Sequence, residues 1–217
     1  MTLPGSTSLN SYTFQITLLG VTPVVWRLVA VPGSLTLDRL HQVIQLAMGW
    51  GCSHPYRFDI AGRNYEEPPA DGSREAVDPR TISLDELGLS QGSSLTYIYD
   101  SKDDWVHHLT VQGVAPFAAT LSAPALLGGA GACPPEASGG PGGYAALLAA
   151  LRTPDSPAGQ DARERLGKVT DPEFWEPTGA AEQLPKIGAV ASQRAADSHA
   201  GGKHSGGRSK KHRRGRR

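Results

Sequence analysis

Asp100, Asp103, Asp104, Trp105 and His107 fall within eight consecutive residues of this chain, in the stretch Tyr97-Ile-Tyr-Asp-Ser-Lys-Asp-Asp-Trp-Val-His-His-Leu-Thr-Val111. Carboxylates and imidazoles gathered so closely are the groups that transfer protons or hold a divalent cation. About thirty residues further on, Cys133-Pro-Pro-Glu136 precedes Gly139-Gly-Pro-Gly-Gly-Tyr144, adding a thiol, another carboxylate and a glycine-rich turn. His54 supplies a second imidazole. The candidate functional surface is therefore His54, Asp100, Asp104, Trp105, His107 and Glu136.

Each chemistry has a plainer competitor. His54, Asp100, Asp104, His107, Cys133 and Glu136 are ligand types for zinc or manganese. The spacing offers no close Cys-Cys pair, no His-Glu-x-x-His helix and no EF-hand loop. No cofactor is expected, and a divalent metal at this set is the alternative. Cys133 could pair with His54 or His107 as a thiol nucleophile. It precedes two prolines and does not open a helix, where a thiolate would be stabilised, so it reads as a small apolar side chain. The glycines of 139–143 feed a helix as a phosphate cradle would, but no Lys or Ser follows in register. They read as a tight backbone path. Trp26, Trp50, Trp105 and Trp175 could stack bases, yet at least three of the four are expected in the core.

The elements that must position these groups are legible in the periodicity. Tyr12, Phe14, Ile16 and Leu18 alternate along one strand. Val25, Arg27, Val29 and Val31 share a face of the next, with Trp26 on the other. Leu37, Leu40, Val43, Ile44 and Ala47 are spaced as a helix, with Thr36 as its cap and Gly49 as its stop. Tyr56–Ile60 alternates as a third strand, residues 62–81 read as a long surface loop, and Ser83–Gly88 as a short helical turn. Ser94–Asp100 and Trp105–Val114 form a hairpin around the acidic turn. Residues 115–143 are rich in Ala, Gly and Pro, helices are expected at 144–151 and 157–166, and a last turn at Asp171–Trp175. The order predicts one α+β domain over residues 10–187, a β-grasp or roll-like mixed sheet with one packed helix plus C-terminal helices. Residues 1–9 read as a leader and 188–217 as a disordered basic tail.

The formal charge of zero conceals an asymmetry. Residues 203–217 hold eight cations (Lys203, Arg208, Lys210, Lys211, Arg213, Arg214, Arg216 and Arg217) and no acid. Subtracting them from 21 basic residues leaves thirteen against 21 acidic ones, a net of −8 for residues 1–202. The tail is expected to contact nucleic-acid phosphates without sequence preference. Two cysteines are too few for a disulfide framework, and neither a membrane span nor a signal peptide is apparent, so a cytoplasmic protein is expected.

A set of landmarks in order resembles the plasmid pRiA4b ORF-3-like family, small proteins carried by plasmids and insertion sequences. The matching residues are Pro23-Val-Val-Trp-Arg27, Leu40-His41, Met48-Gly-Trp50, His54, Phe58, Tyr65, Tyr97-Ile-Tyr-Asp100, Asp104-Trp105-Val-His107, Cys133-Pro-Pro-Glu136, Gly139–Tyr144 and Asp171-Pro, spanning roughly residues 10–185. Three departures stand out. Ser101-Lys102 replace the family's Phe-Gly in the hairpin, His54-Pro-Tyr-Arg-Phe58 lacks a second His, and Ala137 stands where an Asp follows Cys-Pro-Pro-Glu. Each removes a potential ligand or alters a turn. The resemblance implies a fold and a mobile-element setting, and no defined activity. The expectation is a non-enzymatic binding or accessory protein. The alternatives are an enzyme or metal-binding protein using the acidic hairpin, and a protein–protein module presenting its sheet.

Overall fold

The alternation of apolar side chains decides which face of each strand is buried, and one helix covers that face. The structure, a computed structural model, describes residues 10–69, 71, 76–116, 121–167, 169, 171–177 and 179–187. The expected leader and basic tail lie outside the described residues. Strand β1 spans Asn10–Leu18, β2 Val25–Pro32, β3 Tyr56–Ile60, β4 Arg63–Tyr65, β5 Ser94–Tyr99, β6 Trp105–Pro116 and β7 Ala125–Ala130. They form one sheet in the order β4-β3-β5-β6-β1-β2-β7. Helix α1, Leu37–Met48, connects β2 to β3 and carries the chain across to the far half of the sheet.

Tyr12, Phe14, Ile16 and Leu18 of β1 are buried, as are Val25, Val29 and Val31 of β2 and Trp105, Leu109 and Val111 of β6. Thr13, Gln15, Thr17, His108, Thr110 and Gln112 occupy the opposite face and reach solvent. This is the pattern of a sheet packed on one side only. Leu37, Leu40, Val43, Ile44 and Ala47 of α1 join the same core. Burying each large side chain contributes about 1.5–3 kcal/mol. Gly49 ends α1 at φ 83°, its N–H reaching back to the carbonyls of Gln45 and Leu46. Thr36 stands at the helix start in extended conformation, but its hydroxyl bonds the Asp38 carboxylate and caps no backbone N–H.

The α+β architecture and the single helix packed across the sheet agree with the sequence. Three details differ. Every strand pairing is antiparallel, not mixed, because β1 lies beside β6 running the opposite way. The expected loop at 62–81 contains β4, which pairs with β3 and forms a parallel bridge between Tyr65 and Val77. The Ala/Gly-rich stretch contains β7, an edge strand whose register slips between Leu28 and Val29 of β2. Small residues there suit a crowded site: a Cβ on Gly129 would lie 2.9 Å from both Arg27 and Trp175. Helix α2 (Gly140–Ala150) begins four residues earlier than expected, and α3 (Pro157–Leu166) is capped by the Ser156 hydroxyl, which accepts from Gly159 N–H at 3.1 Å. Residues 180–187 are helical, and Leu184 and Ile187 are buried. Among the described residues no helix is long and apolar enough to cross a membrane.

Candidate functional site

Three loops converge at one end of the sheet: residues 49–55 after α1, 100–104 between β5 and β6, and 131–139 after β7. Glu136 of the third loop joins the first through its carboxylate. One oxygen accepts from the Tyr99 hydroxyl at 2.7 Å and from Gly51 N–H at 3.0 Å, and the other from the Ser53 hydroxyl at 3.4 Å. The Tyr99 oxygen accepts in turn from the backbone N–H of Ser53 (2.9 Å) and His54 (3.2 Å). Two indoles clamp the same loop. Trp50 Nε1 donates to the Pro134 carbonyl at 2.8 Å, and Trp105 Nε1 to the Glu136 carbonyl at 3.3 Å.

The acidic turn is held by its own backbone. Asp100 is buried at φ 58°, a left-handed conformation that Asp tolerates through local hydrogen bonding. Its carboxylate accepts from Lys102 N–H at 3.0 Å, its N–H donates to the Pro55 carbonyl, and its carbonyl accepts from Asp104 N–H. Asp103 accepts from Gly139 N–H at 3.0 Å, tying the hairpin to the glycine turn. Gly140 must lack a side chain: at φ 70°, a Cβ would sit 2.3 Å from the Asp103 carbonyl oxygen. The glycines thus serve a close backbone approach.

The structure divides the candidate surface in two. His54 and Asp100 come together, with Nδ1 and Oδ2 3.7 Å apart, and Trp105 meets Glu136. Asp104, at φ 52°, is an exposed turn residue. His107 is not on the surface at all. It is 0% exposed, in phase with Trp105, Leu109 and Val111 on the core face of β6. Its Nδ1 lies 3.2 Å from the Trp105 carbonyl, Nε2 has no partner, and Trp50 and Tyr97 pack against the ring. Burial pushes its pKa down to about 3, against weaker opposing backbone hydrogen bonds. It is a neutral core imidazole. Trp50 and Trp105 are buried, but Trp26 and Trp175 are only partly so, two fewer than a fully core set and one fewer than expected.

Cys133 packs beside Arg27, and burial pushes its thiol up to about 12, the Arg27 charge only partly offsetting this. Such a thiol is no nucleophile at neutral pH. Among the described residues no three His, Cys, Asp or Glu side chains converge to hold a metal ion.

Several residues of the site were not singled out from sequence. Arg27, 1% exposed, donates to the carbonyls of Ala47, Trp26, Ala130 and Gly131 at 2.7–3.1 Å, and Trp175 covers its guanidinium at 4.8 Å. His41 of α1 meets the Tyr97 hydroxyl at 2.7 Å, which also accepts from Gln45 at 3.0 Å. Burial pushes His41 down to about 4, so the ring is neutral. His41 and Tyr56 stack at 3.7 Å with planes 3° apart, forming part of a groove of about 700 Å³ that Cys52, His54, Glu66 and Glu67 also line. The signals that could have located this pair are the family landmark Leu40-His41 and the half-buried strand period at Tyr56.

Residues 10–178 match the family model described as "Plasmid pRiA4b ORF-3-like protein". The chain is 38% identical over 141 residues to "Uncharacterized protein y4hQ" of Sinorhizobium fredii (strain NBRC 101917 / NGR234), covering 64% of this chain and 72% of that protein. It also resembles the crystal structure of MM3350, a protein of unknown function from Methanosarcina mazei Go1. The TM-score is 0.69 and the identity 26%, over 78% of this chain and 96% of the other. A family match of that extent makes this chain a member of the family.

Proposed function

We propose that this member of the plasmid pRiA4b ORF-3-like family is a non-enzymatic binding protein, an accessory of mobile-element origin acting in the cytoplasm. Its C-terminal basic segment contacts nucleic acid, and its folded domain presents the loop-end groove to a partner. The observation carrying this reading is that the fold commits three of the chemistry-bearing side chains singled out from the sequence, while His54 and Asp104 stay exposed. Glu136 receives three donors, His107 is sealed in the core, and the Cys133 thiol is held protonated.

Electrostatics divides the labour. Residues 1–202 carry a net of −8 and repel a phosphate backbone, whereas residues 203–217 bring eight cations. Neutralising eight phosphates gives a log–log salt slope of about −7 on duplex DNA. The test compares the full chain with a full-length variant whose eight tail cations are Gln, on duplex DNA between 50 and 300 mM salt. The expected result is a slope of about −7 for the natural chain and loss of binding for the variant. Equal binding by both would overturn the assignment of the contact to the tail.

A further inference from the structure

We infer that the cavity beside Trp175 binds a small monocarboxylate, whose anionic head pairs with the buried Arg27 guanidinium while its short apolar body lies against the cavity wall. This cavity shares no residue with the groove lined by His41 and Tyr56, and it is independent of the nucleic-acid contact proposed above.

Arg27 is a cation in the core without a carboxylate partner. Among the described residues no Asp or Glu forms an ion pair with it. Burial, less strongly opposed by neighbouring Cys133, pulls its pKa down to about 10, so it stays charged at neutral pH. A guanidinium carries five N–H donors. Four of them are used: Nε on the Ala47 carbonyl, Nη1 on those of Trp26 and Ala130, and Nη2 on that of Gly131, at 2.7–3.1 Å. The second Nη2 hydrogen has no acceptor among the described residues. The four carbonyls, one of them in the last turn of α1, offset part of the charge through their dipoles. A buried guanidinium is ordinarily matched by a full anion.

The same side chain lines a cavity of about 200 Å³. Trp175 lies over the guanidinium at 4.8 Å and Cys133 neighbours the charge; both line the cavity too, which puts the guanidinium at its wall. Cys133 adds no negative charge, because burial holds its thiol protonated. Leu46, Met48, Val169 and Phe174 give the lining its apolar surface, and Phe174 is left 63% exposed. Glu176, the one carboxylate in the lining, is exposed to solvent. These features select the ligand. One remaining N–H suits one carboxylate oxygen in a charge-assisted bond, whereas a phosphate calls for several donors. The apolar wall calls for a hydrocarbon body. At about 30 Å³ for each non-hydrogen atom, the share of a water in the liquid, the cavity holds about six or seven such atoms, the size of a four- or five-carbon acid.

The test titrates the full chain with sodium butyrate at constant ionic strength, with butyramide as the uncharged isostere and inorganic phosphate as a second anion. Saturable butyrate binding with a Kd of about 1 mM is expected, with the other two at least about tenfold weaker. In nitrogen-15 spectra the butyrate-dependent shifts should fall on the Gly131 and Ala132 amides and the Trp175 indole, and not on His54. At about twenty times the Kd, butyrate should raise Tm by about 5 °C. Glu176→Gln removes a like charge from the lining and should tighten butyrate binding about threefold. Arg27→Met should lose butyrate binding; where that variant does not fold, the comparison of butyrate with butyramide decides. Equal affinity for those two would overturn the pairing with Arg27, and shifts centred elsewhere would overturn the site. Tighter binding of phosphate would overturn the ligand class, and no saturation up to about 50 mM butyrate would sink the inference altogether.

Discussion

Two neutral imidazoles in the core make this protein sensitive to acid, and His107 isolates the effect. An unfolded chain protonates each His near pH 6.5. In the fold, burial holds His107 at about 3 and His41 at about 4. As pH falls below 6.5, the unfolded state gains protons that the folded state refuses, so stability is full above that value and is lost on the way down. Between pH 7 and pH 5 each group removes about 2 kcal/mol, and the two together about 4 kcal/mol. That amount depends mainly on the unfolded value, because both folded values lie below the window. It is a large share of a typical domain stability of about 5–15 kcal/mol. His107→Phe keeps an aromatic ring among Trp50, Tyr97 and Trp105 and loses one 3.2 Å contact to a carbonyl. Urea unfolding at pH 7, 6 and 5, followed by tryptophan fluorescence, should show the variant losing about 2 kcal/mol less than the natural chain across that window. An identical loss in both proteins would refute the placement of His107 as a buried neutral base.

Arg27→Met removes a buried cation and leaves four carbonyls without their shared donor. It should cost about 3–5 kcal/mol, a fall of about 10 °C in Tm by calorimetry; a Tm within about 2 °C of the natural chain would count against its role. Glu136→Ala should release the loop at 51–54 without unfolding the sheet, costing about 1–3 kcal/mol locally. Amide exchange at Gly51 should then accelerate at least tenfold, of the order expected from that loss. Unchanged protection there would mean the carboxylate does not hold the loop.

Local regularity was legible in the chain, and convergence was not. The period of two in β1 and β6 and the helical spacing of α1 belong to neighbouring residues, so Tyr12 to Leu18 and Leu37 to Ala47 declare their faces without tertiary information. The same period had already placed His107, two residues after Trp105 and two before Leu109, on the core side. Its chemical type drew it into a surface set that the geometry of the strand excludes. β7 escaped because Ala125–Ala130 has little β propensity of its own and is placed by its ladder with β2.

What the sequence could not declare is the joining of distant polar groups. Glu136 finds Tyr99, Gly51 and Ser53 across gaps of 37, 85 and 83 residues, and Arg27 finds Ala130 and Gly131 across 103 and 104. No local pattern encodes such partners; they follow from the strand order, which sets β5 two strands from β1 and β7 beside β2. The consequence reaches function. A carboxylate free in an extended chain is a candidate acid or base; in the fold the Glu136 carboxylate receives three donors and fastens the loop at 51–53.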